Sequence, residues 1–266
     1  MAQCRTKIEW NGLTASLLSW TEAMSAWSFS IPAGDSCPMA VYEPSEDGSK
    51  AICSGCYASI GRYNMPNVLD AQWIRFQWLR DRLRSSEGYD EIVDTFIGAI
   101  KHSTKNGYFR IHDSGDFFSP KYTNAWYDIC KDLPDIKFWA PTRSYHKPGS
   151  LTDAVKRLAT LPNVTIRPSA LYMNQLAPQI RGLALGSGVL GLASEGRWMC
   201  PKSTEGGSCE STGCRHCWES PTESVYYLVH GHLGKHKLHD IAAGIIPVRR
   251  AATKEKFAQL TVGATV

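Results

Sequence analysis

The sequence predicts an α/β protein of mostly parallel strands, with a small cysteine-rich metal-binding region toward its C-terminal end. Three observations lead there. Strand-like apolar runs recur at a fixed interval, since Phe109 to Ile136 and Ile136 to Asn163 are each 27 residues apart. Helical patterns fill the intervals, and strand–helix units at this spacing imply parallel strands joined by right-handed crossovers. Seven of the nine cysteines fall in two tight groups, and the total is odd. That usage points to metal ligation in a reducing compartment rather than to a disulfide framework.

The totals set bounds. A chain of 266 residues, 43% hydrophobic and 20% charged, supports one large α/β domain or two small ones. No apolar run approaches the ~20 residues that span a bilayer. The opening Met1-Ala2-Gln3-Cys4-Arg5 lacks a basic-then-apolar signal pattern, so the expected location is the cytoplasm, without membrane association. A net charge of +4 is too mild to establish nucleic-acid binding, but it leaves a polyanionic partner open.

Residues 1–26 show no strong period, and Trp10, Trp20 and Trp27 are expected to cover one end of the fold or the first cysteine group. Trp27 to Ile31 reads as the first strand. A helix capped by Asn67 or Asp70 is expected to run to about Arg84, with Trp73, Phe76, Gln77 and Leu83 spaced at three and four. A second follows from Tyr89 to Lys101 on the stripe Ile92, Val93, Phe96, Ile97 and Ile100. Tyr108–His112, Ile136–Ala140 and Val164–Arg167 are the regularly spaced strands. The helices between them are opened by Ser119-Pro120 and by Ser150. Each strand runs into polar residues: Asp113-Ser114-Gly115-Asp116, Pro141-Thr142-Arg143-Ser144 and Pro168-Ser169. In parallel α/β folds that carboxyl edge is where ligands bind. Val189–Ala193 and Val225–Val229 read as strands flanking the second cysteine group, and the tail from Lys235 reads as basic and less regular.

The first group is Cys37, Cys53 and Cys56. Three thiolates saturate neither a tetrahedral zinc nor the four irons of a cubane. Either a histidine such as His112 completes a zinc site, or one iron of a [4Fe-4S] cluster stays open, or the thiols are simply buried. The second group is Cys200, Cys209, Cys214 and Cys217, four soft ligands within 18 residues in a glycine-rich stretch. It forms a complete ligand set for either an iron–sulfur cluster or a structural zinc. Cys4 reads as a surface thiol and Cys130 as a core residue.

Phe29-Ser30-Ile31-Pro32-Ala33-Gly34-Asp35-Ser36-Cys37-Pro38, Cys56-Tyr57-Ala58 and Arg110-Ile111-His112-Asp113-Ser114-Gly115-Asp116-Phe117 resemble the phage "gene product 88" family. So do Trp139 to Ser144, Ile166 to Ser169 and Cys214-Arg215-His216-Cys217-Trp218, over about residues 27–230. The order strand, three-cysteine loop, helix and repeated strand–helix units also resembles radical S-adenosylmethionine proteins. That likeness implies a partial (β/α) barrel over residues 1–195, with residues 196–266 holding the second metal site, a final strand and the basic tail packed on the barrel. It further implies a [4Fe-4S] cluster on Cys37, Cys53 and Cys56 whose open iron binds and cleaves S-adenosylmethionine. Ser114, Gly115 and Asp116 would then form a methionine-binding turn, Arg143 or Arg167 would pair with the cofactor carboxylate, and Ser169 would line the site. A reductant such as flavodoxin or ferredoxin is implied as partner. The 15 residues between Cys37 and Cys53 depart from the compact loop usual in that superfamily, although loop-closure cost grows only logarithmically.

Weaker signals carry little. Gly186-x-Gly188-x-x-Gly191 matches a dinucleotide fingerprint, but no clear strand–turn–helix context surrounds it. His230, His232, His236 and His239 cluster, and Asn163-Val164-Thr165 is a glycosylation sequon without secretory context. Arg75, Arg80, Arg82 and Arg84 with Trp73 and Trp78 suggest either an aromatic–basic nucleic-acid surface or, preferably, a solvated helix face. Lys235, Lys237, Arg249, Arg250, Lys254 and Lys256 repeat that choice. The leading expectation is a radical S-adenosylmethionine-type iron–sulfur enzyme acting on an unknown substrate, with nucleotides and nucleic acid among the candidates. The alternatives are a metal-stabilised nucleic-acid- or protein-binding module and an iron–sulfur electron-transfer or redox-sensing protein.

Overall fold

A computed structural model describes residues 6–229 and 248–263. The chain opens with a hairpin, β1 (Lys7–Trp10) and β2 (Leu13–Ser16). Asn11 and Gly12 between them both take positive φ, the conformation a two-residue hairpin turn demands. β3 (Ser19–Thr21) pairs antiparallel with β4 (Ala26–Ser30), and β5 (Tyr108–Ser114), β6 (Lys137–Thr142) and β7 (Val164–Pro168) follow in parallel. Sheet order β3-β4-β5-β6-β7 is also chain order, so each crossover leads to the next neighbouring strand. The five strands form an open sheet, and among the described residues they do not close into a barrel.

The crossovers are α1 (Pro66–Arg82) and α2 (Ser86–Ser103), then α3 (Pro120–Lys131), then α4 (Ser150–Leu158). Strand alternation sorts the two faces of the sheet. Phe109, Ile111, Phe138 and Ala140 pack with the helices around Phe29, Phe96 and Trp126. On the opposite face Trp139 packs with Met24, Ala26, Cys200, Cys217, Trp218 and Val225. The cysteine-rich segment therefore covers the face that the helices leave bare. It carries α5 (Pro201–Glu205) and α6 (His216–Glu219) and links β8 (Ser187–Leu190) to β9 (Val225–Leu228), which pair in parallel.

Several expectations are corrected. α1 starts at Pro66 with no side-chain cap, so neither Asn67 nor Asp70 caps it. Ser119 caps α3 as expected, accepting from the Tyr122 amide at 3.2 Å, but Ser150 lies inside α4 behind Gly149. The arginines divide: Arg80 and Arg84 are exposed and Arg82 is half-buried, as on a solvated face, but Arg75 and the two tryptophans are not part of it. Trp73, Trp78 and Arg75 are buried, and Arg75 donates to Ser16 O, Ser30 O and Ser19 Oγ. That burial pushes its guanidinium down to about 10. Trp10 does not cover the cysteines either. It stacks on Phe257 of a C-terminal helix, α7 (Val248–Gly263), at 5.7 Å.

The tail thus contains a regular helix, and its Phe257 packs against Trp73 of α1. The histidine cluster and Lys235 and Lys237 lie outside the described residues, as does Cys4, and the side chains of Arg249 and Arg250 are likewise not described. Lys254 and Lys256 pair with Asp35 and Asp70. The sequon asparagine, Asn163, ties α3 to β7 by donating to Cys130 O, Leu133 O and Ile136 O. No helix among the described residues is long and apolar enough to cross a membrane.

Candidate functional site

At the carboxyl edge of β4–β7 lies a cavity of about 460 Å³, and both cysteine groups reach it. Cys37, Cys53 and Cys56 form one side and Cys200, Cys209 and Cys217 another. Cys214 alone of the seven does not line it. The size falls within the range of small-molecule sites, about 300–1,000 Å³. None of the eight described cysteines is in a disulfide.

The first loop leaves β4 through Pro32 and a tight turn in which the Gly34 amide donates to Cys37 Sγ at 3.3 Å. Its far end is stitched to the segment after β7, where Ile52 N donates to Leu171 O and Met173 N to Lys50 O. This crossing brings Cys53 and Cys56, 16 or more residues beyond Cys37, back to the sheet edge. Burial, followed by the charges of Asp116, Cys56 and Cys53, holds the Cys37 thiol well above its ordinary range. The three sulfurs therefore share one electrostatic environment. Arg143 joins them. Burial works against its charge, but Cys53, Cys56 and Asp116 raise its basicity overall.

The expected cofactor residues divide. Ser114, Gly115, Asp116, Arg143 and Ser169 all line the cavity. Arg143 donates through Nε and Nη2 to Ala170 O, which holds its guanidinium flat beside the first group. Asp116 is committed to the protein: it accepts from the Phe117 amide, Thr142 Oγ1 and the Arg143 amide at 2.6–2.8 Å. It is a turn-fixing residue first, and burial raises its carboxyl. Ser114 Oγ donates to Ile31 O. Gly115 sits at φ +86°, and a Cβ there would stand 2.4 Å from Ile31 Cγ1 and 2.6 Å from Ser36 Oγ. The close approach it permits is that of the first loop to β5.

Arg167 is corrected outright. It is fully buried, is not among the cavity residues, and spends its donors on Cys217 O, Leu185 O, Glu223 O, His216 O and Ser220 O. A cofactor carboxylate cannot reach it. His112, the candidate fourth ligand for zinc, has Nε2 at 2.9 Å from the Tyr122 hydroxyl and its ring against Phe117. Burial and then the Arg110 charge push it down to about 3, so it is a neutral imidazole.

The glycine triplet around β8 serves packing. A Cβ at Gly186 would meet Pro168 O at 2.5 Å, and one at Gly188 the Tyr226 ring at 2.9 Å. No helix follows β8 directly.

Sequence reasoning missed a polar cluster on the cavity wall. Arg110 pairs with Asp113 at 2.9 Å, donates to the Tyr57 hydroxyl at 2.8 Å and lies over the Trp139 ring at 4.7 Å. The Tyr63 hydroxyl donates to Asp113 Oδ2. The signal was the strand alternation, which sets Arg110 on the opposite face from Phe109 and Ile111, and the position of Tyr57 directly after Cys56.

In the second group, Cys200 and Cys217 are buried while Cys209 and Cys214 are half-buried. Burial raises the Cys200 thiol, with the Cys214 charge adding to it. Burial and the Cys200 and Cys214 charges bring Cys209 to about 11, and burial brings Cys217 to about 12. Backbone bonds fix the group: Cys200 N to Tyr226 O, Cys209 N to Ala23 O and Cys214 N to Cys209 O.

All seven donors are soft thiols, which suits iron–sulfur chemistry. Among the described residues no three His, Cys, Asp or Glu groups gather closely enough to hold one metal ion. A tetrahedral zinc draws its sulfurs to roughly 3.8 Å of one another, given Zn–S of ~2.3 Å. A multinuclear cluster puts each cysteine on a different metal atom and tolerates a wider set. Soft thiols of this kind are ligands of iron–sulfur clusters and of zinc alike.

Comparison with known proteins fits the motif-level resemblance over part of its length. The family model described as "Gene product 88" matches residues 4–182. The match takes in Cys37, Cys53, Cys56 and strands β4–β7 but ends before the second cysteine group, short of the expected residue 230. A Gene 88 protein of Mycobacterium phage L5 is 33% identical over 124 residues, covering 44% of this chain and 47% of that protein. One from Mycobacterium phage D29 is 31% identical over 124 residues. The chain spans about half the length of these curated relatives. No solved structure matches. With more than half of its length in the family match, the chain belongs to the gene product 88 family of bacteriophage proteins.

Proposed function

We propose that this chain is an iron–sulfur enzyme of the radical S-adenosylmethionine type. The observation that carries the reading is that Cys37, Cys53, Cys56 and Arg143 all line one cavity at the carboxyl edge of parallel strands. Cys37, Cys53 and Cys56 would hold a [4Fe-4S] cluster one protein ligand short, with S-adenosylmethionine at the remaining iron. Clusters held by the two groups would supply one-electron chemistry, on electrons from a flavodoxin- or ferredoxin-like reductant.

This chain's own residues do the rest. The Arg143 guanidinium, oriented by Ala170 O, offers a bidentate fork to a carboxylate beside the sulfurs. Asp116 holds the Arg143 main chain and Thr142 in place. Ser114 and Gly115 keep the first loop against β5, while Ser169 closes the wall. Met24, Ile52, Met173, Val189 and Leu228 keep much of the cavity apolar, which limits water at the reacting atoms. Such chemistry belongs in a reducing cytoplasm.

The competing reading is a binding module stapled by metal. The placement of the second group in a segment with few core residues favours it. Anaerobic reconstitution decides. The enzyme reading expects about eight irons and eight sulfides per chain if both sites are cubanes. It also expects 5′-deoxyadenosine on adding S-adenosylmethionine and a strong reductant. Zinc without iron would establish the module, and clusters without nucleoside release would leave an electron-transfer or redox-sensing protein.

A further inference from the structure

The second cysteine group is not symmetric. The Cys200 thiol faces the main-chain amides of Ser203 and Lys202, whereas Cys217 has a side-chain partner. Its Sγ lies 3.3 Å from the Tyr227 hydroxyl. Tyr227 sits on β9 two residues from Val225, and both turn toward the core that holds Cys200 and Cys217. Either atom of a neutral pair can donate, but a metal-bound cysteine is a thiolate with no proton, so Tyr227 becomes the donor. Behind Cys217 stands Arg167, whose Nε donates to Cys217 O at 3.2 Å and whose Nη2 reaches His216 O and Ser220 O on either side. The residue therefore has a fixed main chain, a cation behind it and a hydroxyl on its sulfur. Cys217 and Tyr227 both line the cavity shared with the first group.

We propose that Tyr227 is a tuning residue for the second metal centre: its hydroxyl donates to the Cys217 thiolate and raises the reduction potential of a cluster held there. The inference rests on the iron–sulfur reading of the second group. Its physical basis is that a hydrogen bond to a cysteine sulfur withdraws charge from the metal and stabilises the reduced state. Among cluster levers, axial charge and burial act on the whole group, whereas this bond acts on one ligand and is removable by a single oxygen. Arg167 is a positioning residue in this arrangement, since it touches the main chain and not the sulfur.

The test uses the full chain carrying Cys53→Ala, so that only the second centre contributes signal. Tyr227→Phe in that background is expected to keep the iron and sulfide content and shift the midpoint potential to a more negative value. An unchanged potential with iron retained would overturn the proposal alone. Zinc in place of iron in the Cys53→Ala parent would overturn the proposal together with the iron–sulfur reading. Should Tyr227→Phe lose its iron, pulsed EPR of the reduced parent in deuterated buffer settles the matter. A coupled exchangeable deuteron from the hydroxyl is expected, and its absence refutes the bond.

Discussion

Arg167 directs its five hydrogen bonds at main-chain oxygens, tying β7 to the α6 turn and to the strand entry at Glu223. A lysine brings three donors on one point and cannot fork in this way. Each buried carbonyl left unmet costs about 1–3 kcal/mol. Arg167→Lys should therefore lower stability by roughly 3 kcal/mol or more, read as a drop in urea midpoint. His112 makes a pH prediction. Its folded value of about 3 lies below the ordinary 6.5. Above pH 6.5 both states are neutral there and no penalty arises. Between 6.5 and 3 the unfolded chain holds a proton that the folded chain lacks, so stability falls as pH falls. Asp116, raised by burial, acts in the opposite sense above 3.8 and offsets part of this. His112→Gln, which keeps a partner for Tyr122 without titrating, should flatten the dependence of Tm on pH between 6.5 and 4.

At the scale of elements, Phe257 is the buried anchor among the described side chains of α7. Phe257 is fully buried and stacks on Trp10 at 5.7 Å and Trp73 at 5.9 Å. The two ion pairs beside it, Lys254–Asp35 and Lys256–Asp70, involve exposed lysines and contribute at most about 1 kcal/mol each. Truncating a core aromatic costs about 3–5 kcal/mol. Phe257→Ala is thus expected to destabilise by that amount in chemical denaturation, while Lys254→Ala changes little. The strands and the helix faces of this sheet were legible because each follows a local period: Phe109, Ile111, Phe138 and Ala140 alternate as strands must, and Ser119 caps where Ser-Pro predicts. The hairpin over residues 7–16 was equally legible, from Asn11-Gly12. The α1 face was not legible, because Arg75 looks like a surface charge until Ser16, Ser19 and Ser30 supply oxygens from a distant hairpin and strand.

For the whole molecule, the organising fact is that residues 144 positions apart, Cys56 and Cys200, open onto one cavity. The helices take one face of the sheet and the cysteine-rich segment takes the other, so both groups meet at the carboxyl edge. Their backbones are nevertheless fixed by separate bonds, the first to the Leu171 region and the second to Ala23 and Tyr226. The sites should load independently. If the proposed function holds, Cys53→Ala is expected to abolish S-adenosylmethionine cleavage and to remove about four of about eight irons, leaving the second group occupied. Loss of all iron in that variant, measured after anaerobic reconstitution, would show that the two sites fold as one.

Sequence alone determined the parallel strand–helix order, the two soft-donor sets and the family, because these depend on spacing and residue type along a continuous stretch. Only the tertiary structure decided that Arg143 stands beside the first sulfurs while Arg167 turns away to bind carbonyls. It also decided that the tail ends in a helix on α1 and that the two cysteine groups share a chamber. The physical reason is the same in each case: a buried arginine, an apolar helix face or a thiol goes where distant segments offer oxygens, rings or partner sulfurs, and those partners are fixed by packing across the sheet rather than by neighbours in the chain.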